Sequence, residues 1–363
     1  IERAPEAYEL ITGKTGQPFL GVLLTYSQDA AELPSHRVTF APGAAAPLNG
    51  EPGVGVLGAG NYAMAVFLPA VQAVGGARRV AIASATGLSA RNAAQRFGFG
   101  YASSQEIEVL DDPAVNVVAV LTRHDQHARQ VLACLERGKH VFCEKPLAIR
   151  PADLDAIEQA LTQDGHPLLM VGYNRRFAPL AQRLHAFLQG ADEPLYMHYR
   201  VNAGYIPANH WVHDPQVGGG RIFGEACHFV DFLTFLAGAA PVSVTSQALP
   251  DVGRYRGDNL SMTFAFPDGS VGVVDYLANG DKSFPKERVE VFCAGRVGVL
   301  DDFRSLQLVR DGHRQTFSSL LRQDKGHRAG WSAFLSAVRS GGPAPIKYEE
   351  MIGGMRMVMK GGE

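Results

Sequence analysis

Apolar residues recur along this chain at two spacings, and the change between them divides it. Near the N-terminus, "PEAYELITGK" has helical spacing and stops at Gly13, and "FLGVLLTY" reads as a short buried strand. Residues 28–52 follow as a linker carrying Pro34, Pro42, Pro47 and Pro52, with "HRVTF" as a candidate short strand inside it. From residue 54, short apolar runs alternate with helical patterns. The order is "VGVLG", a helix over 61–74 with an internal Pro69, "RVAIASA", "SARNAAQRFG", "VNVVAVLT", "HARQVLACLERG", "HVFC", a helix over 151–163, and "PLLMVGY". Such alternation predicts a parallel sheet covered by helices on both faces. Beyond about residue 174 the pattern changes. A helix over 178–189, a strand over 195–203 and a helix over 225–237 precede "VSVTSQAL", "LSMTFAFPDGSVGVVDYLAN", "ERVEVFCAGRVGVLDDF" and "SLQLVRDG". Strands joined by turns such as "PDG", without intervening helices, predict an antiparallel sheet. "RAGWSAFLSAVRSG" is a late helix. The expected architecture is an α/β Rossmann domain over 53–173, an α+β domain with a mostly antiparallel sheet over 174–345, and a C-terminal tail over 346–363.

Composition narrows this picture. With 46% hydrophobic and 19% charged residues in 363, the chain has the make-up of an ordinary two-domain globular protein. A formal charge of -2 argues against nucleic-acid or anionic-membrane partners. No apolar run approaches the roughly 20 residues that span a bilayer, and "IERAPEAYEL" lacks the charged and apolar regions of a signal peptide. Cys134, Cys143, Cys227 and Cys293 are scattered, which fits reduced, buried thiols and a cytoplasmic setting.

The candidate chemistry begins at "VGVLGAGNYA", which places Gly58, Gly60 and Ala63 between a strand and a helix. The first glycine permits a tight turn, the second lets backbone amides approach a pyrophosphate, and the small third residue lets helix and strand pack closely. Asn61 and Tyr62 lie in the same loop. An acid near the end of the second strand would take the ribose hydroxyls of NAD, but this chain has Ser84 and Thr86 there and no carboxylate before Glu106. NADP is therefore admitted beside NAD, and the reading leans to NADP, with Arg91 or Arg123 as a phosphate partner or as an ordinary solvated charge. "HVFCEKPLA" ends a strand with Glu144, Lys145 and Pro146. Ligands of a doubly wound sheet lie outside the carboxyl ends of its strands, so Lys145 is expected at the nicotinamide crevice, its backbone restricted by the following proline.

"GAGNYA", "VLTRHDQHA", "GKHVFCEKPLA", "VGYNRRFAP" and "GGGRIFGEACHFVD" occur in the order and at roughly the spacing of the Gfo/Idh/MocA oxidoreductases. The chain resembles that family over about residues 53–345. The resemblance implies a second domain with a large open-faced sheet, often used to form homo-oligomers. It also implies NAD(P)-dependent hydride transfer at a secondary alcohol or carbonyl of a sugar, cyclitol or sugar derivative. Lys145 would lie beside the nicotinamide and the reacting oxygen, with Glu144, Thr122, His124 and His127 in the cofactor region, and His228 would be the general acid/base. Imidazole titrates near neutrality and suits that role. Many members carry aspartate four residues before this histidine; here that position is Gly224, followed by Glu225, and either Glu225 or Asp231 is a candidate partner. The i,i+3 pair His124 and His127 has no evident third metal ligand, so no metal is expected. Arg176 and Tyr173 are substrate candidates, Arg176 equally an ordinary helix-start charge. "GYIPANHWVHD" offers polar and aromatic groups to a sugar or is simply a long loop. Family relatives that cleave glycosidic bonds through tightly held NAD, and a non-catalytic nicotinamide-binding scaffold, are the competing functions. "RAPEAYELITGKTGQPFLGVLLTY" resembles the carboxyl-terminal end of a medium-chain alcohol dehydrogenase, which implies a fused upstream dehydrogenase.

Overall fold

The chain divides into two units, residues 1–36 and 37–363, in a computed structural model that describes residues 3–25, 36–40, 51–251, 253–319 and 323–362. The first unit contains helix α1 (Ala4–Ile11), which carries Pro5 in its first turn, buries no side chain and is capped at Thr12. The strand expected over "FLGVLLTY" does not form across residues 19–25, where Leu20 and Leu23 are exposed. A strand needs a partner ladder for its backbone groups, and the described residues of this unit offer none. Most of the expected linker lies outside the described residues.

The second unit starts with β1 (Arg37–Thr39), within the "HRVTF" candidate. It pairs antiparallel with β4 at the edge of a seven-stranded sheet ordered β1-β4-β3-β2-β5-β6-β7. The other strands are β2 (Gly53–Leu57), β3 (Arg78–Ala83), β4 (Tyr101–Ser103), β5 (Val117–Val120), β6 (His140–Cys143) and β7 (Leu169–Val171), paired in parallel. Their near-continuous burial is that of strands covered on both faces. The covering helices are α2 (Leu68–Val74), α3 (Gly87–Phe97), α4 (Glu106–Leu110), α5 (His124–Glu136) and α6 (Pro151–Ala160). Residues 63–67 form a π-helical turn ahead of α2, so the helix expected over 61–74 is a composite, with Pro69 in the first turn of its α-helical part. The strand order reverses where β2 meets β5, opening the crevice in which such sheets take ligands.

Helix α7 (Pro179–Leu188) leads to β8 (Tyr196–Asn202), and a π-helical turn, Ile222–Ala226, runs into α8 (Cys227–Ala237). Seven more strands follow: β9 (Ser243–Ala248), β10 (Asn259–Ala265), β11 (Val271–Leu277), β12 (Glu287–Cys293), β13 (Arg296–Asp301), β14 (Ser305–Arg310) and β15 (His313–Ser318). With β8 they make an eight-stranded sheet, β15-β14-β13-β12-β8-β11-β10-β9, antiparallel except for the β8–β11 pair. Met197, Tyr199, Met262, Phe264, Val274, Tyr276, Val289 and Val291 point inward and are fully buried. Their alternate neighbours face outward and are mostly only partly covered. Helix α9 (His327–Ser340) returns to the first sheet, where Trp331 and Phe334 pack on Phe142. The expected tail is instead mostly helix α10 (Tyr348–Gly362), packed on α8 and β9. Together these elements are a Rossmann-like parallel-sheet domain followed by a mostly antiparallel one.

Candidate active site

Gly58 leaves β2 at φ +102°, and a Cβ there would lie 2.6 Å from the Leu121 carbonyl oxygen. Only glycine lets this turn pass so close to the end of β5. A Cβ on Gly60 would meet nothing within 4 Å, so the space in front of the loop is open. Ala63 is buried where the π-helical turn begins, and Asn61 is exposed beside it. This cradle fits a dinucleotide diphosphate. At the end of β3 the Ser89 hydroxyl bonds those of Ser84 (2.8 Å) and Thr86 (2.7 Å). The ribose end of the site is thus built from hydroxyls, with no carboxylate on the stretch from Ser84 to Gln105.

At the end of β6 the Lys145–Pro146 bond is cis. The Lys145 ammonium donates to the Gly224 carbonyl at 2.8 Å, which joins the Rossmann strand end to the turn ahead of α8. Glu144 is buried, burial pushes its carboxyl upward, and Oε1 has no partner. A Cβ on Gly172 would come within 2.6 Å of that oxygen, so glycine leaves room for it. His127 bridges two loops, with Nδ1 at 2.7 Å from the Pro146 carbonyl and Nε2 at 3.1 Å from the Thr122 carbonyl. The Nδ1 of His124 bonds the Gly218 carbonyl at 2.8 Å, and its ring meets Trp211 edge-on. Burial, then the nearby Lys145 charge, lowers His124 to about 3. Both imidazoles thus spend Nδ1 on a main-chain carbonyl.

His228, in the first turn of α8, is 8% exposed, and its Nδ1 has no partner. Burial holds its pKa well below the usual histidine range, and Arg175, Lys145, His327 and Lys286 add to the effect. The ring is therefore neutral at physiological pH. Two adjoining cavities share His124, Lys145, Arg175, Trp211 and His228 in their walls. One, about 330 Å³, also has Tyr62, Thr122, Glu144, Lys325 and His327 in its wall and faces the dinucleotide loop. The other, about 300 Å³, is completed by Ile206, His210, Glu225 and Lys286. Burial would raise the Glu225 carboxyl, but Lys286, Arg221 and Lys145 outweigh it and hold it at about 2.

Tyr173, Arg176 and Asp231 stand behind this wall. Tyr173 packs edge-on against His228. Arg176 binds Asp231 through Nε (3.1 Å) and Nη2 (2.6 Å) and reaches Glu350 of α10 at 3.1 Å, all buried. Asp231 is thereby committed to Arg176, and among the described residues no carboxylate bonds the His228 ring. The neighbouring arginine, Arg175, lines the cavities instead. Glu287 holds it through Nε at 2.6 Å and Nη2 at 2.9 Å, and Lys325 shares that carboxylate at 2.6 Å. Lys286, Lys325 and His327 carry no local sequence signal that marks them for the site, and within "GYNRRF" nothing in the sequence tells Arg175 from Arg176. Trp211 and His210 come from the polar-aromatic loop "GYIPANHWVHD".

Comparison with known proteins agrees with the fold. Residues 53–173 match the model of the Gfo/Idh/MocA oxidoreductase family, NAD-binding Rossmann fold, and residues 193–295 match the Gfo/Idh/MocA C-terminal domain. The chain is 25% identical over 274 residues to myo-inositol 2-dehydrogenase of Thermotoga maritima, covering 72% of this chain and 80% of that protein. It is 28% identical to levoglucosan dehydrogenase of Pseudarthrobacter phenanthrenivorans, over 55% of this chain and 59% of the relative. A solved levoglucosan dehydrogenase in complex with NADH shares the fold at a TM-score of 0.73 and 21% identity, covering 86% of this chain and 96% of that one. With both domains matched in order, and with the glycine loop and Lys145 at the strand ends where that architecture takes its ligands, the chain belongs to the Gfo/Idh/MocA family of oxidoreductases.

Proposed function

We propose that this chain is a nicotinamide-dependent dehydrogenase that interconverts a secondary alcohol and a carbonyl on a sugar, cyclitol or sugar derivative. The observation that carries the reading is the convergence of Lys145, from the end of a Rossmann strand, and His228, from α8, on one pair of adjoining cavities beside the Gly58 loop. The named activities of the inositol and levoglucosan relatives support the substrate class. A bound nicotinamide supplies the hydride acceptor or donor. Gly58, Gly60, Ala63, Ser84, Thr86 and Thr122 would hold the dinucleotide, with Glu144 and Tyr62 in the wall of the cavity that would take its nicotinamide.

Lys145 presents its ammonium to the substrate oxygen and stabilises negative charge there as the carbon is oxidised. His228, uncharged in the resting site, has a lone pair free to take the hydroxyl proton. In the reverse direction the same ring returns that proton. Ile206, Trp211 and Phe229 give the substrate cavity its apolar wall. The hydroxyl cluster of Ser84, Thr86 and Ser89 carries no charge to repel a 2′-phosphate, which favours NADP, while the solved levoglucosan relative holds NADH. Fluorescence titration with NADH and with NADPH, followed by turnover assays on a panel including myo-inositol and levoglucosan, tests the reading. Saturable binding of one cofactor and turnover of a polyol are expected; failure of both cofactors to bind at millimolar concentration refutes it.

The outward face of the second sheet supports a homo-oligomer formed through it. Ala265, Val271, Tyr196, Phe292, Val297 and Val309 stand in one cross-strand row, register partner to register partner, on the outward face. Tyr196 is 49% and Phe292 45% exposed. A second copy laid across this row would bury it. Four buried free thiols support a reducing, cytoplasmic setting. Among the described residues no helix is long and apolar enough to cross a membrane.

A further inference from the structure

The substrate cavity contains a single carboxylate among the described residues of its wall, and it does not come from the position where many family members place theirs. Positions 224 and 225 lie in the π-helical turn that runs into α8, and both line the cavity that His228 enters. Position 224 cannot carry a side chain as the site is built. A Cβ there would lie 2.8 Å from His124 Cε1 and 3.3 Å from Nδ1. That ring cannot easily yield, because its Nδ1 is bonded to the Gly218 carbonyl at 2.8 Å and its edge meets Trp211 at a centroid distance of 4.9 Å. The acid is therefore supplied by Glu225, which lines the cavity with Lys145, His228 and Lys286.

The partners of Glu225 leave it able to accept more. Its oxygens face Arg221 and Lys286, each at 3.4 Å, the long end of hydrogen-bonding distance, and the buried Tyr276 hydroxyl is a third donor beside the same carboxylate. An ionised carboxylate offers about four lone-pair sites, so acceptor capacity remains towards the cavity. Glu225 already faces two cations, whereas Nδ1 of His228 has no partner, so the carboxylate is placed as a fixed acceptor and the imidazole is left for the proton. The cavity thus offers a donor in Lys145 and an acceptor in Glu225, matched to two oxygens in different roles.

We propose that Glu225 is a specificity-determining residue that accepts a hydrogen bond from a hydroxyl on the carbon next to the reacting one, so that the site selects vicinal diols over isolated alcohols. The inference rests on the dehydrogenase reading for which oxygen reacts, but its binding consequence can be measured without turnover. An alcohol lacking the neighbouring hydroxyl leaves the Glu225 carboxylate partly desolvated and short of a partner, which such sites reject.

The test uses myo-inositol, cis- and trans-1,2-cyclohexanediol and cyclohexanol on the full chain saturated with its nicotinamide cofactor. Calorimetric affinity and kcat/KM are both read. The wild type is expected to bind the better diol about 10- to 100-fold more tightly than cyclohexanol, the span of a hydrogen bond to a charged group. Glu225→Gln is expected to cut that preference to below about threefold, raising KM more than it lowers kcat, with NADH affinity unchanged. Glu225→Asp keeps the charge but withdraws it by one methylene, and reads the same preference if the glutamine variant fails to fold. Equal affinity of the wild type for diol and cyclohexanol, binding of none of the four, or an undiminished preference in both variants overturns the proposal. A diol preference that vanishes in Glu225→Gln without any nicotinamide reduction would sink the dehydrogenase reading and leave the Glu225 assignment standing.

Discussion

Glu287→Gln should cost far more than an ordinary surface charge change, and the structure says why. The Glu287 carboxylate is 1% exposed and accepts from Arg175 Nε at 2.6 Å, Arg175 Nη2 at 2.9 Å and Lys325 Nζ at 2.6 Å, with the Tyr199 hydroxyl bonded as well. Burial acts to raise its pKa, but Arg175 and Lys325 outweigh this and hold it far below the carboxylate range. Glutamine keeps the shape and removes the charge. Two cations are then left facing a neutral amide, one of them almost fully buried. Removing one partner of a buried ion pair costs about 3–5 kcal/mol. The natural control lies on the same strand: Glu290 accepts from Arg288 at 2.8 Å, but these side chains are 31% and 41% exposed. Such a pair is worth about 0–1 kcal/mol, so Glu290→Gln should be nearly silent. Urea unfolding followed by circular dichroism, with the three proteins compared at a common m-value, reads both differences. Equal losses for the two variants, or a Glu287→Gln loss below about 1 kcal/mol, would refute the reasoning. Turnover should fall in Glu287→Gln as well, because Arg175 and Lys325 line the cofactor-side cavity.

Other expectations follow from the same geometry. Gly58→Ala drives a Cβ against the Leu121 backbone at a left-handed φ and should cost more than about 2 kcal/mol in unfolding, whereas Gly60→Ala meets no protein atom and should leave stability within about 0.5 kcal/mol while weakening NADH binding at least tenfold. His124 is lowered to about 3, so the unfolded chain takes its proton first; stability falls as pH drops below about 6.5 and keeps falling towards 3. By pH 5 this one ring accounts for about 2 kcal/mol at 1.36 kcal/mol per unit, so wild type should lose that much more than His124→Gln between pH 7 and 5 in paired urea titrations. Phe292→Asp should split the proposed oligomer to smaller species in sedimentation velocity without changing circular dichroism, because Phe292 lies in the middle of the outward apolar row.

The alternation of strands and helices over 54–171 was legible because each parallel strand is a dense apolar run, and the Gly58 loop because its position between strand and helix gives its glycines a purpose. Lys145 was legible for a related reason: a cation directly after a buried strand end must face the crevice. Short elements were not. The three residues of β4 and the five of α4 carry too few positions for either period to emerge, and the mostly exposed β15 has no alternation to read. Helix α10 was obscured by its glycines at 353, 354, 361 and 362. They weaken helix propensity, yet Gly361 brings α10 close to Val244 and Gly353 brings it close to Ala240.

Within the site, the adjacent pair Arg175 and Arg176 shows where sequence reading ends. Both sit in one short 3₁₀ turn, Asn174–Phe177. One enters the cavity wall with Glu287, and the other is locked behind it by Asp231 and by Glu350, distant in sequence. Which is which depends on where β12 and α10 arrive, a property of the tertiary fold alone. Lys286, Lys325 and His327 reach the site for the same reason, from a loop and a helix start that no motif marks.

The most direct test of the account is turnover of the best polyol found by wild type, Lys145→Ala and His228→Asn, with NADH or NADPH affinity measured on each protein in parallel. The account predicts cofactor affinity within about tenfold of wild type in both variants and turnover lower by about 10²–10⁴, the usual worth of a positioned acid–base group. Variants that bind cofactor and turn over as wild type would contradict the placement of Lys145 and His228 at the reacting oxygen.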